Sequence, residues 1–309
     1  MAGTEKAESR CRLEADGAHR SRRRFVRQLA AITCAGWAAP GTCQRAGGMP
    51  RRSGLELLQR DNLVAWCIVP FDAARRSPEQ RAAMLEALGL RRCAYDWRDE
   101  HVPTFEREII AYRQRDIEFL AFWGEHEQAF RLFQKYRLHP QIWKMVAIDE
   151  QGTDEEKLTR ATETLLPLAR KCQTLGCSLG IYNHGGWAGH PLHMVALVEA
   201  LHRRGFRDVG IIFNFHHGHE YIRQWPDLLQ RMLPYLLCIN LNGMNDNAMP
   251  KILPLGEGKH EVEMIRAIVQ SSYAGPIGIL DHRPDTDARI ALEANLAGLE
   301  QIVHRLHAS

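Results

Sequence analysis

Eight short apolar runs separated by longer amphipathic stretches constrain this chain more than any other feature. The runs are Leu63–Pro70, Arg92–Trp97, Ile117–Trp123, Ile142–Ile148, Ser178–Asn183, Val209–Phe215, Leu237–Leu241 and Pro276–Leu280. Most lie about 25–35 residues apart, the length of one strand–helix unit. The segments between them read as helices. Ser77-Pro78-Glu79 is a helix start, with Ser as cap and Pro in the first turn. Thr153-Asp154-Glu155-Glu156 places acids where the helix dipole favours them. Gly89, Gly176 and Gly205 stand where those helices should stop. Strands alternating with helices imply a parallel sheet. Eight such units close most simply into a single-domain (β/α)₈ TIM barrel. The runner-up, a doubly wound open sheet, would want a glycine-rich loop after the first strand, and Val69-Pro70-Phe71-Asp72 is unlike one.

The barrel is expected over residues 60–309, behind a leader and disordered segment over 1–48. The chain has 309 residues, 45% hydrophobic and 25% charged, ordinary for a globular protein able to bury a large core. Its net charge of +3 belongs to the Arg-rich leader. The body has no basic patch interleaved with aromatics, which argues against a nucleic-acid partner. Ser21-Arg22-Arg23-Arg24-Phe25-Val26-Arg27 resembles the twin-arginine export motif. The apolar stretch Leu29–Ala39 that follows is too short to span a bilayer, and Gly36-Trp37-Ala38 offers a signal-peptidase site. An exported protein is expected; the competing reading is a cytoplasmic protein starting at Met49. Of eight cysteines, Cys11, Cys34 and Cys43 lie in the leader. Cys67, Cys93 and Cys238 read as small core residues, and Cys172 and Cys177 lie near a helix end. An odd number in the body, irregularly spaced, argues against a disulfide framework.

The ends of the apolar runs carry the polar residues. They read Asp72; Tyr95-Asp96-Trp97-Arg98; Trp123-Gly124-Glu125-His126; Asp149-Glu150; Tyr182-Asn183-His184-Gly185-Gly186-Trp187; Asn214-Phe215-His216-His217-Gly218-His219; Asn240-Leu241-Asn242-Gly243; and Asp281-His282-Arg283. A barrel gathers all eight ends at one mouth. Asn, His, Asp and Arg hydrogen-bond hydroxyls, and Trp and Tyr offer flat faces to sugar rings. The expected ligand is a small-molecule carbohydrate, with self-association into a homo-oligomer left open. Phosphate is less well served, with Arg98, Lys251 and Arg283 as the only basic candidates.

The order of these motifs resembles the xylose-isomerase-like barrel superfamily, also called the sugar-phosphate isomerase/epimerase family, over roughly residues 60–305. Asn183-His184-Gly185-Gly186 resembles its strand-5 motif and Asn214-Phe215-His216-His217 its strand-6 motif. Leu253-Pro254-Leu255-Gly256-Glu257-Gly258 resembles its loop after strand 7, and Tyr273-Ala274-Gly275-Pro276 its approach to strand 8. The resemblance implies proton transfer on a sugar at one divalent metal (Mn, Mg or Zn) held by Glu, Asp, His and Glu. The matching positions here are Tyr182, Asn214, Asn242 and Asp281. Three have lost the usual ligand type.

Three site readings follow. A rearranged set of His184, His217, His219 and Asp281 could bind a metal. Alternatively, a histidine near neutral pKa and a carboxylate, His217 and Asp281, could move a proton while His184, Asn214 and Asn242 fix hydroxyls. Asn183, Tyr182, Trp187, His282, Arg98 and Lys251 would then complete the substrate contacts. In the third reading the barrel binds a carbohydrate without catalysis, or is a lyase or hydrolase of keto-sugars. Of His216 and His217, adjacent on an extended strand, only one should face the pocket.

Overall fold

The computed structural model describes residues 52–308; the expected leader, with its twin-arginine-like stretch, lies outside them. Eight strands form one closed, all-parallel ring in chain order. They are β1 (Leu63–Trp66), β2 (Arg92–Tyr95), β3 (Glu118–Trp123), β4 (Gln141–Lys144), β5 (Ser178–Tyr182), β6 (Val209–Asn214), β7 (Leu236–Leu241) and β8 (Ile277–Leu280). The ring shuts where Leu63 pairs with Ile277 and Trp66 with Leu280. The expected (β/α)₈ TIM barrel is the fold observed.

Helices cover its outside: α1 (Pro78–Ala87), α2 (Phe105–Arg113), α3 (Glu127–Tyr136), α4 (Asp154–Leu175), α5 (Gly186–Gly189), α6 (Pro191–Arg203), α7 (Trp225–Met232), α8 (Glu261–Gln270) and α9 (Ala288–His307). Local chemistry sets their ends. Ser77 and Gln80 cap α1 reciprocally, and Thr153 and Glu156 do the same for α4. Gly176 ends α4 with φ +68°, a conformation costly for any residue with a Cβ.

Alternation along the strands builds two cores. Val64, Ala94, Ala121, Trp143, Ile212 and Cys238 fill the barrel interior with side chains from strands alone. Leu63, Ala65 and Cys93 belong to the larger core that the sheet shares with helix residues such as Leu85 and Ile109. The five cysteines among the described residues are free and buried. No helix among those residues is long and apolar enough to cross a membrane.

Most strands end earlier than the apolar runs predict. Extended structure in β1 stops at Trp66 rather than Pro70, because Cys67 takes φ +58° and turns the chain over the mouth. β4 likewise stops at Lys144 rather than Ile148. These early exits turn the chain over the mouth, where Cys67, Phe71 and Met145 come to line the cavity.

Two buried side chains brace the loop after β7. Glu261 accepts the N–H groups of Met244 at 3.0 Å, Gly256 at 3.1 Å and Gly258 at 2.7 Å. Asn295 of α9 accepts the Leu255 N–H at 3.0 Å and donates to the Leu280 carbonyl at 3.1 Å. One turn along α9, a Cβ on Gly298 would sit 1.7 Å from the Leu255 carbonyl oxygen. Gly298→Ala is therefore expected to lower stability by about 1–3 kcal/mol, read as a lower urea midpoint at unchanged slope.

Candidate active site at the barrel mouth

The strand ends enclose a cavity of about 210 Å³. The β1 end contributes Trp66, Cys67 and Phe71, the β2 end Asp96 and Arg98, and β3 and β4 Trp123 and Met145. Tyr182 and His184 follow from β5, Asn214, His216 and His217 from β6, and His282 from β8.

The floor is a neutral hydrogen-bonded cluster. Trp66 Nε1 donates to the Tyr182 hydroxyl at 3.1 Å, and the Asn214 amide donates to the same oxygen. Trp143 and Trp123 pack edge-on against this group, with ring centroids 4.8 Å from Trp66 and 4.9 Å from Tyr182 respectively. Burial pushes the Tyr182 phenol far above its ordinary pKa, so it stays protonated.

One wall is a file of imidazoles. Ring centroids are 4.4 Å apart for His184 and His217, 4.4 Å for His217 and His216, and 5.0 Å for His216 and His282. His282 continues onto Phe71 at 4.0 Å, and the Arg98 guanidinium lies over that ring at 5.5 Å. Both His216 and His217 line the cavity, against the expectation of one. Residues 215–217 form a 3₁₀ turn, started by the Asn214 side-chain oxygen accepting the His216 N–H at 2.9 Å. Three residues per turn swing neighbouring side chains by about 120°, so two in a row reach one cavity.

The titration pattern departs from a histidine poised near neutrality. Burial, reinforced by neighbouring imidazoles and the Lys251 charge, pushes His216 down to about 3 and His217 to about 2. Burial and then the Arg98 charge push His282 to about 4. These rings are neutral at pH 7 and weak as bases. The carboxyls move the other way. Burial lifts Asp96 to about 7 against the opposing charge of Arg98, and Asp281 to about 7 against Arg283.

Several candidates from the sequence lie elsewhere or are already engaged. Asn183 clamps β5 to β6, donating to the Asn214 carbonyl at 3.0 Å and accepting its N–H at 2.8 Å. Asn242 donates to the carbonyls of Gly243 at 2.7 Å and Lys251 at 2.9 Å. Trp187 donates to Asp154 at 2.8 Å and stacks on His193 at 4.2 Å, outside the cavity. The ring nitrogens of His219 face the carbonyls of Asn245 at 3.0 Å and Lys251 at 3.1 Å, in a separate groove with Arg223, Asp246 and His260. Asp281 is fully buried beside the cavity. Its Oδ1 accepts the N–H groups of His282 at 2.9 Å and Arg283 at 3.3 Å, while Oδ2 has no partner. Lys251 is exposed at the rim.

This donor set does not fit a four-ligand divalent centre. Tyr182 is a protonated phenol engaged by two donors. The side-chain oxygen of Asn214 is taken by the His216 N–H, and that of Asn242 by the Leu253 N–H at 3.4 Å. Hard cations need anionic oxygens, and of the four positions only Asp281 supplies one. The rearranged set is not assembled either, since His219 lies in another groove. Among the described residues no three His, Cys, Asp or Glu side chains converge as a metal site.

No family model matches the chain, and no curated protein matches it in sequence. Solved structures match its backbone. The IolI protein with a bound zinc atom has a TM-score of 0.61 at 11% identity, covering 79% of this chain and 98% of that one. The 3-keto-D-glucoside 4-epimerase YcjR from E. coli has a TM-score of 0.59 at 10% identity, covering 78% and 98%. A xylose isomerase-like TIM barrel protein from Mycobacterium smegmatis, in complex with magnesium, has a TM-score of 0.52 at 15% identity, covering 80% and 96%. The chain shares the TIM-barrel fold of these proteins. At these identities the likeness is one of fold.

Cys67 and Trp66 are cavity residues absent from the strand-end motifs, and Asp96 and Trp123 stand in those motifs without an assigned role. For Asp96 the signal was period two: Ala94 faces the barrel interior, so Asp96 lies on the same face. Its raised pKa has a consequence for stability. Between about pH 4 and 7 the folded protein keeps a proton on Asp96 that the unfolded chain has released, so this group's contribution falls as pH rises. Relative to the parent, Asp96→Asn is expected to gain on the order of 2–4 kcal/mol across that window, measured by urea unfolding at pH 4.5 and 8. An equal offset at both pH values would refute the shift.

Proposed function

We propose that this chain is a sugar isomerase/epimerase-like enzyme that moves a proton on a carbohydrate or keto-sugar at the barrel mouth. The observation that carries this reading is the cavity itself. It is small, floored by aromatic rings that suit the apolar face of a sugar, and walled by imidazoles that suit its hydroxyls. Carboxyls titrating near neutrality beside it match the demand of acid/base catalysis at physiological pH. The epimerase among the structural neighbours is consistent with such chemistry on this fold.

The second reading is a carbohydrate-binding barrel without turnover. It is favoured by one observation, the Tyr182–Asn214 cluster where the related enzymes are expected to keep charged metal ligands. Solvent-deuterium exchange separates the two. D-fructose, L-sorbose and a methyl 3-keto-glucoside, incubated with the protein in D₂O, are expected to lose proton signal next to the carbonyl. Truncation of one cavity wall in His217→Ala is expected to slow that loss by tenfold or more. Binding without exchange for every sugar would favour the second reading. Elemental analysis of the purified protein is expected to find no stoichiometric Zn, Mn or Mg; stoichiometric metal that disappears in His217→Ala would overturn the view that these donors do not fit a metal.

The leader supports a place outside the cytoplasm. Replacing Arg22 and Arg23 together by Lys is expected to hold the protein in the cytoplasmic fraction; export that survives the change removes this part of the proposal.

A further inference from the structure

Asp96 is, among the described residues, the one carboxyl that lines the cavity, and the fold does not account for its state. It ends the β2 arc of the cavity, is only 2% exposed, and lines the enclosed space. One carboxyl oxygen accepts the Val69 N–H at 3.4 Å, and the other is buried with no hydrogen-bond partner. A buried oxygen left unpaired is destabilising, and in native structures such an atom calls for a functional or a ligand-bound explanation. In a ring of eight strands in chain order, β2 stands opposite β6. Asp96 therefore lies across the cavity from His217, whose ring packs against that of His184.

We propose that Asp96 is the base that takes a proton from the carbon beside the carbonyl of a bound keto-sugar, while N–H groups of His184 and His217 hold the carbonyl oxygen. This rests on the proton-transfer reading above and assigns its central residue. The step balances without a further reactant. The C–H bond breaks and its proton goes to the unpartnered Asp96 oxygen. The electron pair forms the C=C bond, and the carbonyl pair moves onto oxygen, giving an enediolate facing imidazole donors. Return of the Asp96 proton to the same carbon restores a ketose. Return to the former carbonyl carbon, with the hydroxyl proton passing to the enediolate oxygen, gives the isomer. Preorganised donors aimed at the developing charge are the largest aid a site can give such a step. The position of Asp96 at the end of β2 puts the base on the arc away from β5–β8, where the matching residues are neutral or, as with Asp281, outside the cavity lining.

The test compares wild type, Asp96→Asn, Asp96→Glu and Asp246→Asn, the last altered in the separate groove. Deuterium exchange into D-fructose, L-sorbose and the methyl 3-keto-glucoside is followed by proton NMR, and binding of the same sugars by saturation transfer. Asp96→Asn is expected to lower exchange at least 100-fold with sugar affinity within threefold of wild type. Asp96→Glu is expected to recover part of the rate, and Asp246→Asn all of it. Exchange by Asp96→Asn within threefold of wild type overturns the assignment and leaves the proton-transfer reading standing. Exchange by no wild-type sample overturns that reading and this role together. If Asp96→Asn does not fold, Asp96→Glu decides by the same exchange: a rate lowered at least tenfold with sugar affinity within threefold of wild type supports the assignment, and a wild-type rate refutes it.

Discussion

Everything at the mouth depends on the pairing of β1 with β8. Four consecutive residues of β1, Leu63 to Trp66, lie in register with Ile277 to Leu280. That ladder removes both edges of the sheet and forces the ends of all eight strands into one ring. Left open, the same strands would carry Trp66 and Asp281 on opposite margins of a twisted sheet. Closed, they are neighbours: the Asp281 N–H donates to the Trp66 carbonyl at 3.1 Å. The ring then needs a filling. The alternate strand residues supply it with Trp66, Trp143 and Tyr182 as the bulkiest members, so the lumen is packed rather than open below the mouth.

That filling decides the electrostatics above it. Trp66, Tyr182 and Asn214 satisfy one another's polar atoms, so the floor is both buried and uncharged. An ionised carboxylate in the same place would need a cation or an Arg to be stable, and none is built there. Tyr182, Asn214 and Asn242 thus act as a set. Each hydrogen-bonds within the fold, and none of them offers a charged ligand to a cation at the centre.

The barrel was legible in the sequence because two periodicities, apolar runs and the helices between them, survive any detail of packing. Ser77, Thr153 and Gly176 marked helix ends because caps and positive-φ stops are local chemistry. The polar mouth was legible too, since a parallel barrel leaves its strand ends nowhere else to go. The assignment of single side chains was less so. Asn183, Asn242 and Trp187 look like ligand-binding residues by type, yet each is engaged by backbone or by Asp154. That engagement depends on loops whose course no short-range pattern encodes. His216 was hidden because the strand was read one residue too long, and a strand and a 3₁₀ turn aim consecutive side chains differently. Asp96, inside Tyr95-Asp96-Trp97-Arg98, carries no signal beyond the two-residue period of β2, since one aspartate at a strand end is ordinary.

One physical cause, burial, sorts the titratable groups of this mouth into two kinds. Desolvation penalises whichever form is charged, so it lifts a carboxyl and lowers an imidazole in the same surroundings. Asp96 and Asp281 rise to about 7 while His216, His217 and His282 fall well below their ordinary value. The groups able to exchange a proton at neutral pH are therefore the acids, and the histidines are fixed as neutral donors and acceptors. This inverts the first expectation for a histidine-rich pocket, in which imidazole is the base and carboxylate its helper. It also explains how His216 and His217 stand side by side: protonated, they would repel at 4.4 Å, but neutral they pack edge to face as weakly polar surfaces. Dense histidine packing and acid-centred proton transfer are two results of the same desolvation.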